Sequence, residues 1–211
     1  MDANILFLSS TLPVSCLDSI QSDLEKDLDQ IKVAFITTAS KLEKEEGSND
    51  LPDWVNTIKE DAERYFGNVD AIDFTEPSFD LNKLKTDYDI LYLNGGNIFY
   101  LEKAIREHDF AEAINFFIEN KLFIGESAGA AILGIDIYPL RHLDDIDAVE
   151  NASKKGLEIV KFNILPHYDN NELAEQIKLA EKDFLSSSAD LLTINEKQGV
   201  ITDGEEIIGY E

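Results

Sequence analysis

Positive charge is scarce in this chain: 18 Lys and Arg stand against 43 Asp and Glu among 211 residues, a formal net charge of −25. Proteins that bind nucleic acid or anionic membranes draw affinity from neutralising phosphates, so the balance argues against both partners. Its ordinary meaning is solubility, with a mild attraction for cationic groups such as a free amino terminus. Cysteine is nearly absent. The single Cys16 cannot form an internal disulfide and has no thiol or histidine beside it, which fits a reducing compartment and a buried small residue rather than a metal ligand. No apolar run reaches the ~20 residues that span a bilayer. The opening MDANILFLSS starts with an acid where a secretory signal would carry basic residues, so it reads as a first strand and a cytoplasmic location is expected. Repeats and low-complexity tracts are also missing. The composition, 44% apolar and 29% charged, is that of a globular protein, and one domain over residues 1–211 is the expectation.

What is present centres on residues 122–131, LFIGESAGAA. A short apolar run leads into Gly125-Glu126-Ser127-Ala128-Gly129, and small residues continue into a helix-compatible stretch. In that context Gly-x-Ser-x-Gly signals a nucleophile elbow: a serine on a sharp, strained strand-to-helix turn, with small neighbours that avoid clashes. The turn lifts the Ser127 hydroxyl above the sheet edge and leaves the backbone N–H of Ala128 free to stabilise an oxyanion. The same five residues also suit a helix that merely packs close, or a phosphate at a helix N-terminus.

Apolar runs at 4–9 and 32–37 read as buried strands, and 14–28 carries apolar residues at helical spacing. A polar segment at 41–50 leads to Pro52 and a helix through Tyr65 that ends at Gly67. A half-exposed strand at 69–74, a helical turn at 81–84 and a buried strand at 90–93 follow, the last ending in Asn94-Gly95-Gly96-Asn97. Helical segments at 99–106 and 110–120 lead into the elbow strand. Alternation of strand and helix predicts a three-layer α/β/α fold with a mostly parallel sheet, whose ligand site lies outside the carboxyl ends of the strands. Both the elbow and the Asn94–Asn97 turn sit at such ends. Beyond the elbow, short strands are expected at 135–140, 160–165, 191–195, 200–202 and 207–210, with a helix at 172–184. The last three strands, with turns at Gly199 and Asp203-Gly204, suggest a small antiparallel portion at the sheet edge. The polar loop 141–155 has no clear period and either borders the site or is plain surface.

A serine elbow needs a base, and the chain has three histidines. His108 lies in a helical stretch, mid-layer, and reads as a solvated helix face. His142 follows the fixed cation Arg141, which makes it a poor base but leaves it able to contact substrate. His167 follows the apolar run 162–166 at a strand's carboxyl end, so it can share an edge with Ser127, and it is the expected base. The acid that orients the imidazole is Asp169, Asp136 or Glu196. Glu196 is preferred because it ends the apolar run 191–194 and so also lies at a strand end.

Asn94-Gly95-Gly96-Asn97 after a strand, Gly125-Glu126-Ser127-Ala128-Gly129-Ala130, and Leu165-Pro166-His167-Tyr168 together resemble the dipeptidase E family of serine peptidases (peptidase family S51), which shares the class I glutamine amidotransferase-like fold and also includes cyanophycinase. The resemblance covers nearly the whole chain in order and spacing. It implies a Ser127–His167–Glu196 arrangement, an oxyanion hole from the backbone of Gly96 and Ala128, hydrolysis of small peptides with an N-terminal aspartate, and neither metal nor cofactor. The Gly95-Gly96 turn gives this a physical counterpart, since it lets a second backbone N–H approach the reacting carbonyl; Asn97 either caps the following helix or reaches substrate. The chain departs from aspartyl specificity in lacking an arginine after the histidine, where a bidentate cation is expected to hold the substrate carboxylate. Its arginines are Arg64, Arg106 and Arg141. Arg141 or His142 could take that role, while Asp136 or Glu126 could meet a free amino group. Glu126 itself stands where such enzymes often have an apolar residue. A non-catalytic or small-molecule-binding member of the same fold is the alternative, and pairing of two copies is left open. A typical α/β-hydrolase is disfavoured, because there the histidine comes last, after the acid, whereas no histidine follows His167.

Overall fold

The computed structural model describes residues 5–43, 50–203 and 207–210, the side chains of 208–210 excepted. Asn4 of the first expected strand, residues 44–49 of the polar segment and Gly204 of the expected turn lie outside the described residues. In chain order the elements are β1 (Ile5–Leu8), α1 (Leu17–Leu24), β2 (Lys32–Ile36), α2 (Asp53–Glu63), β3 (Asn68–Ile72), α3 (Leu81–Asp87), β4 (Ile90–Leu93), α4 (Ile98–Glu107), α5 (Ala111–Asn120), β5 (Leu122–Glu126), α6 (Ala128–Ala131), β6 (Asn163–Leu165), α7 (Ala174–Phe184), β7 (Leu191–Thr193), β8 (Gly199–Thr202) and β9 (Ile207–Tyr210).

Seven strands form one sheet in the order β3-β2-β4-β5-β1-β8-β9. The first five run parallel, while β8 and β9 attach antiparallel at the β1 side. Successive side chains of a strand face opposite ways, and the apolar residues divide accordingly. Phe7, Ala34, Leu91 and Phe123 face a cluster built by α4, α5, α6 and α7. Leu6, Val33, Tyr92 and Ile124 face the cluster of α1 and α2. This is the expected α/β/α layering. Strands β1, β4 and β5 are buried along their whole length, as parallel strands covered on both faces are. Among the described residues no helix is long and apolar enough to cross a membrane.

Several expectations need correction. Residues 135–140 are not a strand: a 3-10 turn occupies Tyr138–His142 with Pro139 near its start, and an isolated bridge pairs Asp136 with Lys155. Proline removes a ladder donor, and the Asp136 carboxylate accepts the Tyr138 N–H at 2.9 Å, closing the chain into a turn. Strand β7 does not join the antiparallel edge but pairs in parallel with β6 as a separate two-stranded ribbon. The helix expected over 14–28 is shorter, because Glu25 turns left-handed at φ 51° and ends α1.

Candidate functional site

Strand β5 delivers Ser127 to the sheet's carboxyl edge in a strained conformation, φ 51° and ψ −113°. Tight packing explains the glycines on either side. A Cβ at Gly129 would lie 1.9 Å from the Leu93 carbonyl oxygen on β4, and one at Gly125 would lie 2.5 Å from the Gly129 oxygen. Neighbouring strand and helix start therefore approach to backbone distance, and Ser127 is held over the edge. Its N–H donates to the Leu8 carbonyl at 2.9 Å, and its carbonyl accepts the first bonds of α6 from Ala130 and Ala131.

Forty residues on, His167 follows β6 at φ 61°, like Ser127 a non-glycine residue with positive φ. Such strain persists where the surroundings over-determine it. The His167 N–H donates to Ser9 Oγ at 2.9 Å, and the Ser9 hydroxyl donates to the Ile194 carbonyl at 2.8 Å. Ser9, just past β1, thus ties the main sheet to the β6–β7 ribbon. The Ser127 hydroxyl lies 2.8 Å from His167 Nε2. On the other side of the ring, Nδ1 lies 3.1 and 3.2 Å from the two Glu196 oxygens.

Glu196 is in turn surrounded by donors: Ser10 Oγ at 2.6 Å from Oε2 and Asn170 Nδ2 at 2.6 Å from Oε1. Burial alone would raise its carboxyl pKa, but these bonds and the adjacent imidazole outweigh it and hold the group below the usual carboxylate range. The alternative acids stand elsewhere. Asp169 accepts the Glu196 backbone N–H at 2.7 Å, so it fixes the loop that carries Glu196. Asp136 closes its own turn.

The Gly95-Gly96 turn approaches from β4. A Cβ on Gly95 would stand 3.1 Å from Ser127 Cβ, and Gly96, at φ 129°, lies so close to Ala39 that a Cβ there would be 2.4 Å from its carbonyl carbon. Only glycine fits both demands. Gly95 and Gly96 line a cleft of about 510 Å³ together with Ser127 and His167. Ala128, as the first residue of α6, carries an N–H with no acceptor one turn back; it borders a second, smaller recess of about 110 Å³ that shares Ser127 and His167 with the cleft and is walled by Leu140, Leu143 and Pro166.

Four residues expected to touch substrate do not line either space. The Asn97 side chain caps α4, accepting from Phe99 and Tyr100 N–H at 3.0 Å each, and donates to the Asp145 carbonyl at 2.9 Å. Asp136 is engaged as described. Arg141 Nη2 and His142 Nε2 both bind Asp183 Oδ2 on α7, at 2.6 and 2.9 Å, and these two partners depress the Asp183 carboxyl pKa. The pair tethers the 3-10 turn to a helix, and the cause is a carboxylate some forty residues away that the local sequence does not announce.

Other residues take their place. Asp144 borders both spaces, its Oδ2 accepting the Ile98 N–H at 2.9 Å; burial first, countered by that bond and assisted by Glu43, pushes its carboxyl to about 7. Glu126 is almost fully buried, lines the larger cleft and accepts from the Tyr92 hydroxyl at 2.7 Å. Burial, against that bond and with Glu196 adding to it, pushes Glu126 to about 8. Trp54, Thr57 and Ile58 of α2 form the outer wall. Ser9, Ser10 and Asn170 carried a usable signal, since each follows a strand's carboxyl end or lies three residues from His167. The contact between Tyr92 and Glu126 did not, because it depends on strand register.

Residues 6–209 match peptidase family S51. The chain belongs to that family. Its fold, a mostly parallel sheet between helices, is shared with the crystal structure of a putative peptidase E from Listeria monocytogenes, which superposes with TM-score 0.77 at 24% identity, over 99% of this chain and 98% of that one. An uncharacterized peptidase of Pasteurella multocida is 27% identical over 192 residues, 87% of this chain and 86% of its own. A peptidase E of a Shewanella species is 35% identical over a shorter stretch of 85 residues, 40% of this chain and 35% of its own. As an S51 member the protein is an enzyme of the serine peptidase class.

Proposed function

We propose that the protein hydrolyses small peptides with Ser127 as nucleophile, His167 as proton carrier and Glu196 as the acid that orients the imidazole. The observation that carries the reading is the 2.8 Å contact between Ser127 Oγ and His167 Nε2, at a strained strand-to-helix turn open to a cleft. In the first step Oγ attacks the scissile carbonyl while Nε2 takes its proton, and Glu196 stabilises the imidazolium through Nδ1–H. The carbonyl oxygen, now negative, is received by the backbone N–H groups of Gly96 and Ala128; loss of one such donor typically costs about 3 kcal/mol of barrier. His167 then returns the proton to the leaving amine, releasing the first product. Water attacks the acyl-enzyme by the same route in reverse and regenerates the Ser127 hydroxyl. No step calls on a metal or cofactor. The reading includes a reducing cytoplasmic setting, supported by the lone buried thiol of Cys16.

A fluorophosphonate probe should label Ser127 in the wild type and leave Ser127→Ala unlabelled, and hydrolysis of a dipeptide panel should vanish in the variant. Equal residual rates in the two proteins would mean that Ser127 is not the nucleophile.

A further inference from the structure

Apart from His167, the ionisable side chains on the walls of the larger cleft are all acidic. Among the described residues lining it, Glu43, Asp61, Glu126 and Asp144 are acidic and none is Lys or Arg. Arg106 pairs with Glu102 and Arg141 with Asp183, away from the cleft, while Arg64, 70% exposed, pairs with Asp61 of the cleft lining and offsets its charge. Lys41 is held by Asp73 and Glu76. An aspartyl side chain entering here would meet acidic side chains and, beyond the exposed Arg64 already paired with Asp61, no guanidinium, the reverse of what carboxylate recognition requires.

The same walls suit the opposite charge. Trp54 and Ile58, both half-buried, line the cleft beside the acids. They offer ring and aliphatic surface along which a methylene stem can lie, with its cationic head directed to carboxylates. Burial with like-charged neighbours already raises the Glu126 and Asp144 pKa values, a penalty that an incoming cation relieves.

Resting on the reading of Ser127 as the nucleophile, we infer that the cleft selects peptides with a lysyl or arginyl side chain next to the scissile bond. The stem packs on Trp54 and Ile58, and the cation sits beside Glu126 and Asp144, whose carboxyls release their protons to solvent as it binds. Specificity therefore runs against N-terminal aspartate.

Binding to Ser127→Ala protein, followed by titration calorimetry, tests this without requiring turnover. Lys-Leu, Leu-Lys, Asp-Leu, Leu-Asp and Leu-Leu share free termini and place a cationic, an anionic or a neutral side chain in either position. At least one lysyl peptide should bind about tenfold or more tighter than its aspartyl counterpart and than Leu-Leu. Adding Asp144→Asn should reduce lysyl affinity at least fivefold more than Leu-Leu affinity. Equal affinities, or tighter aspartyl binding, in both residue orders would overturn the inference. Fluorophosphonate labelling of the wild type separates the two readings. Labelling without charge preference removes charge selection and leaves the nucleophile; charge preference without labelling removes the nucleophile and leaves charge selection.

Discussion

Glu126 sits immediately before the candidate nucleophile, yet it is buried against Tyr92 rather than solvated. Its carboxyl rises from an ordinary 4.5 to about 8, so across that interval the folded protein binds more protons than the unfolded chain. The usual behaviour of an acid is thereby inverted. The group's stabilising contribution is complete below the unfolded pKa and is lost as pH rises through the folded one, by up to about 1.4 kcal/mol per pH unit. Glu126→Gln keeps an acceptor for Tyr92 and removes the titration. Urea unfolding at pH 5, 6, 7 and 8 should show wild type losing stability relative to the variant as pH rises; parallel curves would contradict the assignment. Asp144, raised in the same sense, is present in both proteins and cancels. Glu196 behaves oppositely, held ionised by Ser10 and Asn170 as well as His167. Glu196→Gln replaces that anion with a neutral amide, and kcat should fall by roughly 10³-fold or more with a smaller change in KM; a loss under tenfold would leave Glu196 outside the reaction.

At the level of elements, the elbow was legible because its demands are local: Gly125 and Gly129 are needed where β5 and α6 touch at backbone distance. Gly129→Ala should therefore destabilise the fold by roughly 3 kcal/mol, seen as a lower urea midpoint at unchanged m-value. A midpoint shift under 0.5 kcal/mol equivalent, on the order of a surface substitution, would show that Leu93 yields. Strand-end position singled out His167 and Glu196 in the same way, since both follow short apolar runs. Pairing partners were not legible. β6 and β7 are three residues each, too short for pattern to say whether they join an edge or each other. Arg141 and His142 looked available as substrate ligands because nothing near them in sequence reveals Asp183.

At the scale of the whole molecule, a net charge of −25 acts on the compact state as self-repulsion. Raising NaCl from about 0.02 to about 0.3 M shortens the Debye length severalfold and should raise Tm by a few degrees; a flat or falling Tm would mean that local ion pairs such as Lys26–Asp89 outweigh the global term. The hydroxyl and the imidazole also belong to different bodies. Ser127 rides on the seven-stranded sheet and His167 on the small ribbon, joined near the site by Ser9 and Ser10. A two-strand unit opens at lower free energy than a buried parallel sheet. On warming, turnover should accordingly cease, reversibly, before far-ultraviolet circular dichroism registers melting, and Ser9→Ala should widen that gap. The catalyst would then be thermally more fragile than the protein that bears it.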